Sequence, residues 1–359
     1  PACAGINVPE KNSQPYPCDE LIVAAGNRKY EQKEHEFDSP EPTEEDTASC
    51  TALKNGQAQT TEAHRVLSAG QSGVAVAVGD HKVMKVMAKG KVGSVGGGKI
   101  EKEFEGARRL TAYANTHSDT LFFVKLASPK KGIKEQFRCP CADLEKWMDD
   151  IKRKAEEKGT RFDERGQCGF ESMEQFSGDM EDAKEWTKER RLALAIQHIA
   201  GLHIAAKGGR VCQHDVLARN FGYLNKDDGV EGSAYKGWVC LKRGETKRCV
   251  DAGAHGTGKL FDLDVIDLGT AEKACTLGTA FTNAMSGSGY FPFVFAKEWS
   301  TAEAAFKNIF SGKGVMKGPY NGEWLEAFSL DIFDELATEA PQGTDAVTVD
   351  LDAVPDFTG

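Results

Sequence analysis

The chain has 359 residues, 40% of them hydrophobic, enough to bury a core in each of two lobes. With 55 acidic against 45 basic side chains its formal net charge is −10, which excludes nucleic acid as the main partner, because phosphate backbones are held by clustered Lys and Arg. No apolar run approaches the ~20 residues of a membrane-spanning helix, so no span is expected.

In chain order, residues 1–63 are poor in apolar groups, with an acidic run from Glu31 to Glu45 that includes Pro40 and Pro42. They read as an extended arm tied down by Cys3, Cys18 and Cys50. Leu67-Ser-Ala-Gly-Gln-Ser-Gly-Val-Ala-Val-Ala-Val, the turn signal Gly79-Asp80 and Lys82-Val-Met-Lys-Val-Met predict strand, glycine loop, strand, hairpin, strand. The glycines from Gly93 to Gly98 form a flexible link to a helix, Ile100-Glu-Lys-Glu-Phe-Glu-Gly-Ala-Arg-Arg-Leu, whose apolar groups recur at three-four spacing. Residues 150–184 are highly charged and read as a solvated insertion. An amphipathic helix from Leu192 leads into a loop carrying Asp215 and, five residues on, Asn220. After a second insertion, 225–260, an apolar strand ends in Asp267-Leu268-Gly269, and residues 338–359 read as an acidic tail.

This ordered set resembles the protein kinases. The resemblance implies an α+β, bilobal fold: a β-rich N-lobe with its hinge at 64–142, and a mainly helical C-lobe at 143–337, with insertions and a shortened end. It implies ATP and Mg²⁺ as cofactors. Gly70 and Gly73 of the glycine loop would approach the phosphates, Lys85 on the third strand would neutralise them, and Glu103 would hold Lys85, with Glu105 as the other choice. Asp215 would orient the acceptor hydroxyl, and Asn220 and Asp267 would bind the metal. Leu121-Phe-Phe-Val-Lys-Leu suits the fourth strand, and Glu135-Gln-Phe-Arg-Cys-Pro-Cys the fifth strand and hinge, whose backbone around Phe137 to Cys141 would meet the adenine. Gly289-Tyr-Phe-Pro resembles the close of an activation segment. Glu326-Ala-Phe-Ser-Leu-Asp-Ile-Phe resembles the lobe's buried helix, which could instead be assigned at Ala302.

Departures accompany these matches. Ser68 stands where the first loop glycine belongs, Gln213 and His214 replace the His-Arg before the catalytic Asp, and Phe293 replaces the glutamate after Pro292. Without that arginine, control by activation-loop phosphorylation is not expected. Three functions fit: a Ser/Thr protein kinase, a pseudokinase scaffold that binds a protein partner without catalysis, and a small-molecule kinase.

Ten cysteines are spread too widely for a zinc knuckle and point to disulfides, with Cys240–Cys249 closing a hairpin that projects beside the cleft. Together with a start lacking methionine, this predicts a mature secreted protein. A secreted, insertion-rich kinase-like chain with eroded motifs is similar to the rhoptry and dense-granule kinases and pseudokinases of apicomplexan parasites, including the bradyzoite pseudokinase group. Secreted Golgi kinases of animals are the competing resemblance.

Overall fold

The computed structural model of the chain describes residues 42–55, 66–70, 73–78, 81–88, 99–116, 122–141, 149, 152–153, 156–157, 167–209, 211–213, 216–228, 234–261, 263–265, 289–296 and 330–353. Its elements are α1 (Glu44–Lys54), β1 (Val66–Gly70), β2 (Gly73–Ala77), β3 (Lys82–Ala88), α2 (Lys99–Thr116), β4 (Gln136–Pro140), β5 (Gln167–Glu174), β6 (Gly178–Asp179), α3 (Lys188–His203), β7 (Val211–Cys212), β8 (Phe221–Leu224), β9 (Trp238–Arg243), β10 (Thr246–Asp251), α4 (Ala252–His255), β11 (Thr257–Leu260), β12 (Asp264–Val265), α5 (Tyr290–Phe295) and β13 (Ala346–Asp350).

The first five strands form an antiparallel sheet in the order β1-β2-β3-β5-β4. Strand alternation gives it two different faces. Val74, Val76, Met84, Val86, Phe137 and Phe170 pack on one side with Cys50 and Leu53 of α1. Lys85 and its cross-strand neighbour Glu171 lie on the other. The arm expected at 1–63 therefore contains a helix at its end. Thr43 and Asp46 close a reciprocal capping box, and three acids occupy the first turn, where the helix dipole favours them.

The sequence reading places the fourth and fifth strands too early, and the structure moves them. Residues 122–126 make only isolated bridges, to Leu260 and Met173. The segment expected to be fifth, at 135–141, is the edge strand β4. The fifth strand, β5, lies inside the stretch read as a solvated insertion, and all but its first residue is buried. Its charges mislead because they have partners: Glu171 accepts a hydrogen bond from Gln136 Nε2 at 2.6 Å, and Glu174 pairs with Lys259 at 2.9 Å.

In the second half α3 is buried along nearly its whole length, starting from an N-cap at Thr187. Around it lie small sheets, β11-β8-β6, β12-β7 and β10-β9-β13, so the described part of this lobe is not mainly helical. The second insertion and the acidic tail account for the difference. Hairpin β9–β10 does not project; Val239, Cys240, Leu241 and Val250 are core residues, and β13 adds to it in parallel. The hairpin is basic and the tail acidic, and Lys242–Asp350 (3.2 Å), Lys247–Glu339 (2.9 Å) and Gly244 N–Asp352 (2.7 Å) join them. Of the buried helix placed at 326–333, Leu330–Phe333 is a short 3₁₀ turn with Leu330 and Phe333 in the core; the alternative at Ala302 lies outside the described residues.

Disulfides join Cys50–Cys139, Cys141–Cys168 and Cys240–Cys249. They are compatible with an extracellular or secreted protein, and no described helix is long and apolar enough to cross a membrane. The first bond spans 89 positions and the last only 9. Paired serine substitution should therefore cost about 4–5 kcal/mol at Cys50–Cys139 and about 2–3 kcal/mol at Cys240–Cys249, read from urea midpoints. Equal losses would contradict the loop-entropy origin of that difference.

His198, in the middle of α3, accepts a hydrogen bond from the Tyr290 hydroxyl at Nδ1 and donates from Nε2 to the Gly222 carbonyl, both at 2.7 Å. Burial pushes the imidazole down to about 4, the Gly222 bond opposing it. Between pH 6.5 and 4 the unfolded chain takes up a proton that the folded chain refuses. Stability is thus full above pH 6.5 and falls by up to about 3 kcal/mol on acidification through pH 4. Urea unfolding at pH 7 and 4.5 should reveal this slope, and His198→Gln, with no proton to take up, should flatten it.

Candidate functional site

Lys85 sits in the middle of β3, and its ammonium pairs with Glu103 of α2. The lysine side chain is 18% exposed and the glutamate 2%, so a partly exposed lysine is held by a buried anchor. The alternative, Glu105, faces outward to Arg109 at 2.8 Å and Arg108 at 3.2 Å. Burial separates the two glutamates where sequence spacing could not. Gln136 Nε2 donates both to Glu171 and to the Phe104 carbonyl, tying α2 to the sheet.

Gly106 positions the other side of α2. A Cβ there would lie 2.3 Å from the Leu263 carbonyl oxygen, so only glycine allows the helix to press this close to the chain leading into β12. Beside the contact lies a cavity of about 20 Å³, room for one water, lined by Glu103, Glu171, Leu110, Met173, Phe261 and Leu263 among others. Gly70 and Gly73 face each other in the β1–β2 register.

Of the loop residues, Gln213 and Asn220 lie at the end of hairpin β8–β11. Asn220 is buried, ends a 3₁₀ turn and directly precedes β8. The last hairpin pair is Phe221 with Leu260, so the strands part at Asn220 and Phe261. Gln213, two residues before Asp215, donates from Nε2 to the Phe261 carbonyl at 3.0 Å, and β7 pairs with β12 next to it. Asp215 and Asp267 themselves lie outside the described residues, as does Asp262. In sequence, however, Asp262 directly follows Phe261, whereas Asp267 comes only after β12. By its place in the sequence Asp262 is a further candidate carboxylate that motif matching passed over; the signal available was the alternation in Lys259-Leu-Phe-Asp-Leu-Asp-Val.

With β5 as the fifth strand, the connecting segment after it is 175–178, not 137–141. The Gln175 N–H donates to the His81 carbonyl (2.7 Å) and the Ser177 N–H to the Tyr223 carbonyl (2.8 Å), so the segment is pinned between the five-stranded sheet and β8. Between those two anchors Phe176 stacks on Phe261, with ring centroids 4.7 Å apart.

No protein-family model matches the chain, and no curated protein resembles it in sequence. Among solved structures it is similar to a MAP kinase of Leishmania major, at 14% identity and a TM-score of 0.26 over 51% of this chain and 49% of that one. It is also similar to WaaP in complex with acyl carrier protein, at 13% identity and a TM-score of 0.29 over 69% of this chain and 82% of that one. The chain thus spans about half the length of the MAP kinase, and at these TM-scores neither likeness extends to activity or substrate. Helix and strand content and their order are compatible with an α+β, protein kinase-like fold.

Proposed function

We propose that the chain is a kinase-like phosphotransferase that moves the γ-phosphoryl group of ATP to Ser or Thr hydroxyls of proteins. The observation that carries this reading is the Lys85–Glu103 pair: a buried carboxylate of one element fixing a partly exposed ammonium on another, at the cleft side of the sheet. Such a fixed cation neutralises phosphate oxygens without reorganising during the reaction.

The donor set around Asn220 suits a hard cation, an amide oxygen with carboxylates close by in sequence, although no cluster of three metal-ligating side chains occurs among the described residues. Asn220 with Asp262 or Asp267 would hold magnesium, which when bound supplies charge neutralisation to the phosphates. Gly70 and Gly73 offer backbone N–H groups to the same phosphates. Asp215 accepts the proton of the attacking hydroxyl while ADP leaves. The three disulfides among the described residues support secretion, and the attribution to the apicomplexan rhoptry and dense-granule group rests on the sequence resemblance alone.

A second reading, a scaffold without catalysis, is favoured by one observation, the Phe176–Phe261 stack in the cleft. Phosphoryl transfer to a mixed panel of proteins separates the two. Asp215→Asn should lower transfer by about 100-fold or more while changing ATP–Mg²⁺ affinity less than about threefold. A wild-type chain no more active than Asp215→Asn would leave the scaffold as the function.

A further inference from the structure

In the resemblance to kinases, the backbone following the fifth strand is where a nucleotide base would lie; here that backbone is 175–178, and its own side chain fills the place. The Phe176 ring rests on Gly222, where an added Cβ would be 3.0 Å from Cδ2 and 3.3 Å from Cε2, so β8 has given up a side chain to seat it. The other face of the packing is the sheet: Leu67, Ala75, Val83 and Met173 belong to one apolar cluster with Phe176 and Phe261. The stack therefore reaches from β1–β3 across to hairpin β8–β11.

Two further features hold it closed. Lys259 is the cross-strand partner of Gly222 and so shares its face of the hairpin, and its ammonium is buried against Glu174, two residues before Phe176. The pinned N–H groups of Gln175 and Ser177 fix the backbone on both sides of the ring. The segment is built to this position rather than resting in it.

We propose that Phe176, stacked on Phe261, closes the base end of the cleft, so that the folded chain binds magnesium-bound polyphosphate through Lys85 without gaining affinity from a purine until Phe176 is displaced. This rests on the phosphotransferase reading for the phosphate end and adds a control on the base end. The Phe176 aromatic ring competes with the purine for the same apolar walls. Lys85, the cross-strand partner of Ala75, stands beside these walls on β3 with its side chain 18% exposed.

The test compares two probes on the full chain by calorimetry and thermal shift: ATP–Mg²⁺, and inorganic tripolyphosphate with Mg²⁺, which has phosphates but no base. In the wild type the two should bind within about threefold of one another, and Phe176→Ala should tighten ATP about tenfold or more while leaving tripolyphosphate unchanged. Phe176→Leu, which keeps most of the packing if the alanine variant folds poorly, should lie between. Lys85→Met should weaken both probes in every background. Wild-type ATP binding about tenfold tighter than tripolyphosphate, or ATP affinity indifferent to Phe176 while tripolyphosphate binding still depends on Lys85, overturns the closure and leaves the phosphate reading intact. Absence of tripolyphosphate binding in every variant overturns both.

Discussion

Lys85→Met should lower phosphoryl transfer about 100- to 1,000-fold, the loss usual when one preorganised charge is removed from a phosphate-stabilising site. The side chain keeps its length and apolar stem, so packing between β2 and β5 survives. Its ammonium does not, and the Glu103 carboxylate, 2% exposed, loses the cation that holds it in the interior. A melting temperature lowered with the activity is therefore expected. Glu103→Gln isolates the two effects, because an amide oxygen still accepts a hydrogen bond from Lys85 but carries no charge. In the double variant Lys85→Met/Glu103→Gln the melting temperature should return most of the way while transfer stays lost. Kinetics beside thermal unfolding of the four proteins checks this. Recovery of transfer in the double variant would mean that Lys85 matters only to folding.

Lys259→Met should be the most destabilising single change named here, at about 3–5 kcal/mol, because it leaves the Glu174 carboxylate buried beside methionine. Burial pulls the Lys259 ammonium below the ordinary lysine range, with Glu174 pulling the other way. That balance marks an ion pair whose value lies in being complete. Glu174 also accepts the Lys125 N–H at 3.1 Å, so the companion change must keep an oxygen there. Glu174→Gln does. The double variant Lys259→Met/Glu174→Gln should regain at least about 2 kcal/mol of the loss, since replacing both members of a buried pair is often close to neutral. Urea midpoints of the two singles and the double give the coupling directly. Strict additivity would place the pair in water and remove it as the tie between β5 and β11.

Some of the architecture could be read from local pattern. Strands β1 to β3 follow from alternating Val, Ala and Met around a Gly-Asp turn, and α2 and α3 from three-four spacing. Cys240 and Cys249 lie opposite each other in β9–β10, as a short hairpin between two cysteines requires. The pairing of Lys85 with Glu103 was one of two readings, and the helix orientation decided it. Strand β5 was illegible because Glu171 and Glu174 look like surface residues, and only their partners Gln136 and Lys259, distant in sequence, make them core.

By itself, then, the sequence determined elements whose signal lies within one turn of helix or one strand: their type, the glycine loop, the lysine strand and the order of the candidate residues. Tertiary structure alone decided what depends on partners far along the chain. It moved the fifth strand from 135–141 to 167–174, turned the acidic tail into β13 by setting it against a basic hairpin, and folded Phe176 inward onto Gly222. In β5 the charges that look solvated in sequence are buried because distant residues neutralise them, whereas the acids of the tail stay at the surface and pair there with the hairpin; in both, the cost of placing a polar group is set by a partner far along the chain and not by its sequence neighbours.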